Sequence, residues 1–239
     1  MALRPRASVL APVGHAGTLG ERPFPALYWI VRAMCGPGLR RLFDLVVAGA
    51  EHLPPRGPYI VAANHHNYLD GVVLGVSVPH PIAFLVMPRV FHATPLHPAF
   101  HRRIGSIPLN LHRPAAGAIK RALELLESGG VIGIFPEGPF SQEGRLVEGQ
   151  PGVAMIALRA RVPVVPVAIR GTYEALRGRR FYLPRRHPLS VRFGPPIPPL
   201  AEPTGPITRQ DRHEVTRRIM GAIEALLAAG EPAPRASNT

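Results

Sequence analysis

A histidine and an aspartate separated by four residues, His65 and Asp70, follow a short apolar segment of the chain. The segment PYIVAA, which ends at residue 63, is typical of a buried strand, and DGVVLGVS after it is typical of a helix start. Residues five positions apart do not share a helical face, so the two side chains meet only if His65 lies in a loop and Asp70 in the first helical turn. The aspartate would then fix the imidazole tautomer, and the other ring nitrogen could take a proton from a hydroxyl. The spacing predicts a general base without a side-chain nucleophile.

Glu137 follows a second apolar segment, VIGIF at 131 to 135, in the turn Pro136-Glu137-Gly138-Pro139. This segment also predicts a short buried strand. In open α/β sheets ligands bind beyond the carboxyl ends of the strands, and here two strand ends present a His, an Asp and a Glu. Taken alone, His65 and Asp70 favour a simpler interpretation, in which Asp70 only caps a helix and His65 is a polar loop residue. The second strand end shifts the balance towards acyl-transfer chemistry.

Three ordered blocks of the sequence resemble the glycerolipid acyltransferases of the lysophosphatidic acid acyltransferase type. The blocks are Asn64-His65 with Asp70, then Phe135-Pro136-Glu137-Gly138, then Val162-Pro163-Val164-Val165-Pro166-Val167, and the likeness spans roughly residues 45 to 200. The resemblance implies acyl-CoA or acyl carrier protein as the donor and a lysophospholipid, most simply 1-acylglycerol-3-phosphate, as the acceptor. It also implies that Asn64, Glu137 and Gly138 help to bind substrate. A non-catalytic lipid- or anion-binding protein of the same fold is the alternative from another class, and the intact His65 and Asp70 argue against it.

Two departures from the family pattern concern the acceptor. Leu111 stands where the family has an arginine after a Gly-x-Ile-Pro stretch, and Phe140 stands in place of the arginine that often follows the glutamate turn. The family associates both arginines with the phosphate of the acceptor. Arg113 and Arg145 are close enough in sequence to substitute for them. A different lysolipid, or an acceptor without a phosphate monoester, is therefore the alternative acceptor.

The composition is that of a globular protein with an anionic partner. The chain has 239 residues, 46% of them apolar, a formal net charge of +13, and Lys120 as its one lysine. This charge favours a phospholipid surface, coenzyme phosphates or nucleic acid, although genomic base composition is an equally good reason for so many arginines. The 6% aromatic content and the lack of a recognition motif argue against nucleic acid.

The organisation predicted along the chain is a single domain with two tails. Residues 1–22 are predicted to be a mobile tail, residues 23–229 the acyltransferase domain, and residues 230–239 a second mobile tail. Residues 23–36 carry apolar side chains at steps of three and four, which predicts an amphipathic helix that ends at the CGPG sequence and either lies in a membrane interface or packs on the domain. No stretch of eighteen apolar residues occurs, so we expect peripheral attachment to the cytoplasmic face of a membrane.

Strand-like and helix-like segments alternate around the motif blocks. This alternation predicts an α/β fold with a mostly parallel or mixed central sheet flanked by helices. Among the helices, one is predicted to begin at Pro114. His92, His97 and His101 invite a zinc interpretation, but Pro98 lies between two of them and no Cys or acidic ligand is nearby. We therefore predict no metal site and no cofactor beyond the acyl thioester co-substrate.

Overall fold

The computed structural model describes residues 18–19, 22–109, 116–141, 143–176, 183–199 and 205–230. A short antiparallel ribbon of β1 (Thr18–Leu19) and β2 (Arg22–Pro23) comes first. The other described strands form one sheet: β3 (Val46–Ala48), β4 (Tyr59–Ala63), β5 (Ile82–Val86), β6 (Ile107–Pro108), β7 (Val131–Ile134), β8 (Val164–Arg170) and β9 (Ser190–Phe193). Of the tails predicted at 1–22 and 230–239, residues 1–17, 20–21 and 231–239 lie outside the described residues, as does the helix start predicted at Pro114.

The strand order across the sheet is β3-β9-β8-β4-β7-β5-β6. The five strands from β8 to β6 run parallel to one another. β9 is antiparallel to β8, and β3 is parallel to β9, so the sheet is mixed. The predicted fold class, an α/β domain with a mostly parallel or mixed sheet, is confirmed.

Helices cover both faces of this sheet. The described helices are α1 (Ala26–Leu42), α2 (Tyr68–Ser77), α3 (Pro88–Phe91), α4 (His97–Arg103), α5 (Ala116–Glu127), α6 (Gly152–Ala160), α7 (Thr172–Leu176) and α8 (Arg209–Ala228). The central strand β4 supplies alternate side chains to two apolar cores. Ile60 and Ala62 pack with α5, α6 and α8, whereas Tyr59, Val61 and Ala63 pack with α2, β8 and β9. The continuous apolar segment is therefore a strand that is buried on both faces.

The first helix differs from the prediction. The sequence CGPG does not end it, because α1 continues through Pro37 to Leu42. Leu39, beyond the proline, is buried against α2 and the second core. We infer that this packing offsets the hydrogen bond that a proline removes from a helix interior.

The apolar stripe of α1 and its preceding residues is divided between the domain and the surface. Phe24 and Tyr28 are buried, and the Tyr28 hydroxyl donates to the Gly75 carbonyl at 3.3 Å. Met34, in contrast, is 73% exposed. Part of the stripe thus packs on the domain, which was one of the two alternatives for residues 23–36. Among the described helices none combines the length and apolarity needed to cross a membrane.

Candidate active site

The strands β4 and β7 end side by side, which brings the two polar turns together. Ile60 pairs with Ile132 and Ala62 with Ile134 in parallel register. His65 follows β4 in a loop, and Glu137 follows β7 in a turn. The Ser141 N–H, farther along the second turn, donates to the His65 carbonyl at 2.9 Å. One edge of the sheet therefore carries both motif blocks.

The imidazole of His65 is held by the carboxylate of Asp70. Nδ1 of His65 lies 2.9 Å from Oδ2 of Asp70, and both residues are buried. Because a carboxylate only accepts, the ring hydrogen belongs on Nδ1, which leaves Nε2 as an acceptor. Within the described residues Nε2 has no hydrogen-bond partner, and His65 lines a large cavity. This arrangement is the one that general-base chemistry requires.

Asp70 also caps the helix in which it lies. Its Oδ2 accepts the backbone N–H of His66 at 2.6 Å and that of Asn67 at 2.8 Å. The Asn67 side chain accepts the Leu69 N–H at 2.9 Å, so Asn67 and Asp70 cap α2 reciprocally. The two interpretations of Asp70 from the sequence, a helix cap or a partner of His65, are therefore not exclusive. One carboxylate fixes both the loop and the ring.

Both carboxylate oxygens of Glu137 bind backbone N–H groups. Oε1 accepts from His65 at 2.6 Å and Oε2 from Val147 at 3.0 Å. The side chain is buried, and this burial raises the pKa of the Glu137 carboxyl, although the two N–H donors act in the opposite direction. These are the contacts of a positioning residue. The acceptor-binding role that the resemblance implies for Glu137 stays a prediction.

Asn64 and Gly138 occupy two further positions named from the motifs. The buried Asn64 amide donates to the Ile169 carbonyl at 2.9 Å and accepts the Ile169 N–H at 2.7 Å. It ties the end of β4 to β8, immediately before His65. Gly138 has a φ of +76° and lines the cavity, so its backbone conformation explains why a glycine is found there.

Two aromatic rings hold the plane of the His65 imidazole. Phe135 stacks on it with a centroid distance of 3.8 Å and an interplanar angle of 9°. Phe140 meets it edge-on, at 4.7 Å and 71°. Both phenylalanines line the cavity. The two phenylalanines shield the flanks of the imidazole from water. Nε2 is then the polar atom of the ring that remains available to a substrate.

The cavity beside His65 has a volume of about 1050 Å³. Its walls come from α1 to α6, β5 and the end of β7 with the loop after it. They are mainly apolar, as shown by Val31, Val72, Val86, Ile104 and Ile134. No acidic side chain lines the cavity within the described part of the chain. A mainly apolar space of this size, with the His65 imidazole in its wall, suits a lipid chain that carries a reactive group.

Comparison with known proteins identifies the family. The family model described as Acyltransferase matches residues 44–170, more than half of the chain. The chain belongs to the acyltransferase family. This match covers His65, Asp70 and Glu137, and it confirms the family resemblance drawn from the motif blocks.

The relatives of this chain include proteins named as 1-acyl-sn-glycerol-3-phosphate acyltransferases. A 1-acyl-sn-glycerol-3-phosphate acyltransferase from Bacillus subtilis is 29% identical over 52% of this chain and 62% of its own. A chloroplastic 1-acyl-sn-glycerol-3-phosphate acyltransferase, LPAT1 from Arabidopsis thaliana, is 28% identical over 69% of this chain and 47% of its own. The chain thus spans about half to three-fifths of the length of these relatives.

A solved structure supports the same fold. The crystal structure of the 1-acyl-sn-glycerophosphate (LPA) acyltransferase PlsC from Thermotoga maritima superposes with a TM-score of 0.67 and 26% sequence identity. The match covers 86% of this chain and 82% of that chain. The α/β architecture of this chain therefore matches that of PlsC.

The arginines named from the sequence lie away from the cavity or outside the described residues. Arg145 has a side chain that is 74% exposed, pairs with Glu143 and does not line the cavity. Arg113 and Leu111 lie outside the described residues. The proposed substitution of either arginine for the missing family arginines stays a prediction.

The histidines near α4 face the same cavity. His97 and His101 have ring centroids 5.8 Å apart, and both line the cavity. His97 bonds Thr94 at 2.7 Å through Nδ1, and His101 bonds Ser106 at 3.2 Å. Within the described residues no group of three potential ligands that could hold a metal ion comes together.

Sequence reasoning missed Arg89. It lies at the start of α3, lines the cavity, and has its guanidinium carbon 5.5 Å from the centroid of Phe140. Arg89 is 24 positions from His65 and belongs to none of the motif blocks. The signal that could have found it is its place shortly after the apolar segment that forms β5, at the sheet edge where ligands bind.

Proposed function

We propose that this protein is an O-acyltransferase that moves a fatty acyl group from an acyl thioester to the hydroxyl of a lysophospholipid. The observation that carries the proposal is the Nε2 of His65, which has no partner in the described residues and belongs to a ring lining an apolar cavity. The family match makes acyl transfer the reaction class. A general base beside a lipid-sized cavity then points to a lipid hydroxyl as the nucleophile.

The reaction proceeds through addition to the thioester carbonyl. Nε2 of His65 takes the proton of the acceptor hydroxyl as its oxygen attacks the carbonyl carbon. The tetrahedral intermediate then expels the thiolate by breaking the carbon–sulfur bond, and the imidazolium returns the proton to sulfur. Asp70, bonded to Nδ1, stabilises the imidazolium between these two steps.

The surrounding residues keep the ring in position for this proton transfer. Asn64 and Glu137 fix the backbone that leads into His65, and Phe135 and Phe140 fix the ring plane. A positioned general base contributes a factor of about 10² to 10⁴. Alignment of the two substrates in the cavity and stabilisation of the oxyanion supply the rest.

The donor in this proposal is acyl-CoA or acyl carrier protein, and the acceptor is 1-acylglycerol-3-phosphate, as in the names of the relatives. The reaction needs no cofactor besides the thioester co-substrate. Phe140, where many family members have an arginine, favours a second candidate acceptor, a lysolipid without a phosphate monoester. Arg113 remains a candidate for binding the phosphate of the first.

The protein is further proposed to act on the cytoplasmic face of a membrane as a peripheral protein. The net charge of +13 favours anionic lipid. Leu96, which is 78% exposed, and Phe100 lie on the α3–α4 segment whose residues line the cavity. Exposed apolar side chains next to a lipid-sized cavity suit a contact with the membrane from which an acceptor would be drawn.

The decisive experiment is product analysis by mass spectrometry. The purified protein is incubated with acyl-CoA or acyl carrier protein thioester and a panel of lysolipids, with His65→Ala as the matched control. We expect a diacyl product that depends on His65. A lipid that binds to the protein but yields no product with either donor would refute acyl transfer and favour a lipid-binding protein.

A further inference from the structure

The described cavity contains two arginine side chains, Arg32 and Arg89. Arg32 is already engaged, because its guanidinium donates to the Gly75 carbonyl at 2.7 Å and to the Val78 carbonyl. Arg89 is exposed, and no described carboxylate pairs with it. Its contact is with the face of Phe140. Arg89 is therefore the cavity arginine whose donors are free for a ligand.

Arg89 also lies near the proposed reaction centre. The two ring contacts in series, 5.5 Å from the guanidinium carbon to the Phe140 centroid and 4.7 Å from there to the His65 centroid, keep the guanidinium within about 10 Å of the imidazole. Phe140 thus joins the two residues. Phe140 stands where the family often has an arginine. In this chain the cation next to that position is the guanidinium of Arg89, which comes from α3.

The acceptor has the dimensions to reach both residues. In 1-acylglycerol-3-phosphate the free hydroxyl and the phosphate are on neighbouring carbons. A hydroxyl held at roughly 3 Å from Nε2 leaves the phosphate within reach of a guanidinium that would approach its oxygens to about 2.8 Å. The planar fork of arginine matches a phosphate monoester. No described acidic side chain lines the cavity to repel the dianion.

We infer that Arg89 binds the phosphate monoester of the acceptor and selects 1-acylglycerol-3-phosphate over lysolipids without a terminal phosphate. This inference rests on the proposed acyltransferase function and assigns the acceptor within it. Arg89 is a binding residue for the phosphate, and His65 remains the base.

The kinetic test compares Arg89→Ala and Arg89→Lys with Arg102→Ala, an exposed arginine on α4 that does not line the cavity. Initial rates are measured with 1-acylglycerol-3-phosphate and with a monoacylglycerol of the same chain. Arg89→Ala should raise the acceptor KM for the phosphate substrate by about tenfold or more, the scale of one charge-assisted hydrogen bond. The acceptor KM of Arg89→Lys should lie between those of the wild type and Arg89→Ala, because lysine keeps the charge but lacks the planar fork of arginine. The donor KM and the kinetics of Arg102→Ala should change by less than about twofold, as expected of surface changes away from the site.

Several outcomes of this test would overturn the assignment. One is an unchanged KM in Arg89→Ala. Another is a KM effect confined to Arg113→Ala or Arg145→Ala. A third is a wild-type protein that uses monoacylglycerol as well as the phosphate acceptor.

A binding measurement separates this inference from the proposed function. In the His65→Ala background, which cannot turn over, calorimetric titration with 1-acylglycerol-3-phosphate should give a Kd that rises about tenfold on adding Arg89→Ala. If Arg89→Ala raises the Kd in this way but the wild-type protein transfers no acyl group, the proposed acyltransferase function is refuted and the phosphate site is supported. Equal Kd values for His65→Ala and for the double variant His65→Ala/Arg89→Ala, with unchanged thermal unfolding, would refute the phosphate site. This conclusion would hold whether or not the wild-type protein transfers an acyl group.

Discussion

The cavity has two sides that are built in different ways. The catalytic loop of the proposal, residues 64–70, is fixed by hydrogen bonds between backbone groups and the buried side chains of Asn64, Asp70 and Glu137. The rim, residues 87–104, carries exposed apolar and cationic side chains such as Leu96 and Arg89. Within the described residues, the hydrogen bonds of the rim side chains are mainly local, as between Thr94 and His97 and between His101 and Ser106.

This difference separates the proposed chemistry from the choice of substrate. A general base must be held in one tautomer and one orientation, and buried carboxylates and amides can do this because each of their bonds is strong in a low-dielectric setting. A lipid-binding rim needs side chains whose partners are supplied by the ligand or the membrane. We therefore expect substitutions in the catalytic loop to act on turnover and substitutions at the rim to act on substrate or membrane binding.

The largest effect is expected at His65. His65→Ala should reduce the rate of acyl transfer by about 10²-fold or more, because no other described base faces the cavity at that position. His66→Ala is the matched control, since the His66 contact to Asp70 is through its backbone N–H and its ring lies against Tyr173 at 5.9 Å. Its rate should stay within about threefold of the parent, as for a substitution outside the reacting groups. A greater loss in His66→Ala than in His65→Ala would reverse the assignment of the base.

The next largest effect is expected at Asp70. Asp70→Asn can still accept a backbone N–H through its oxygen, but it removes the charge that stabilises the imidazolium and can present an NH₂ group to Nδ1. We expect kcat to fall by about 10²-fold with little change in the KM for either substrate. Steady-state kinetics measure this, with circular dichroism to check that α2 is intact. A variant that loses substrate binding but keeps kcat would show that Asp70 has another role.

Glu137 should show a smaller effect that is partly structural. Glu137→Gln can accept only one of the two N–H groups of His65 and Val147, and it points an NH₂ group at the other. Leaving one buried N–H unpaired should lower the free energy of unfolding by about 1 to 3 kcal/mol. It should also lower kcat, because the His65 backbone is less well fixed. A large rise in acceptor KM at unchanged kcat would instead support the acceptor-binding role that the resemblance implies.

The pH dependence of this stability difference has a definite sign. Burial raises the pKa of Glu137 above its ordinary value of 4.5, so the folded protein binds this proton more tightly than the unfolded chain does. The contribution to stability is therefore full below the unfolded pKa and is lost as the pH rises through the folded pKa. The advantage of the parent over Glu137→Gln, measured by chemical denaturation at pH 4.5 and pH 8, should narrow with rising pH. An advantage that widens would contradict the raised pKa.

The same division explains what the sequence alone could predict. The position of His65 and Asp70 follows from an apolar strand, a short loop and a helix start, all within a dozen residues. The partners of Asn64 and Glu137 could not be predicted, because Asn64 bonds Ile169, which lies 105 positions away. The helix end expected at CGPG was wrong since the packing of Leu39 is a tertiary effect. The residues of one short segment could thus be predicted from the sequence, whereas contacts between strands and loops that are distant in sequence could not.

The smallest effect is expected from the apolar side chains of the rim. Leu96→Asp and Phe100→Asp should lower binding to anionic vesicles by about three- to tenfold each, because each removes only part of one side chain's apolar contact and adds a negative charge. Leu183→Asp is the matched control, since Leu183 is 71% exposed and does not line the cavity. Co-sedimentation at two salt concentrations measures binding, and the basic contribution should weaken at the higher one. Transfer to a lysolipid dispersed in detergent should be unchanged in Leu96→Asp and Leu183→Asp, because neither residue lines the cavity and the catalytic loop is untouched. If Leu183→Asp weakens vesicle binding as much as Leu96→Asp does, the effect is one of net charge alone and the rim is not the surface that meets the membrane.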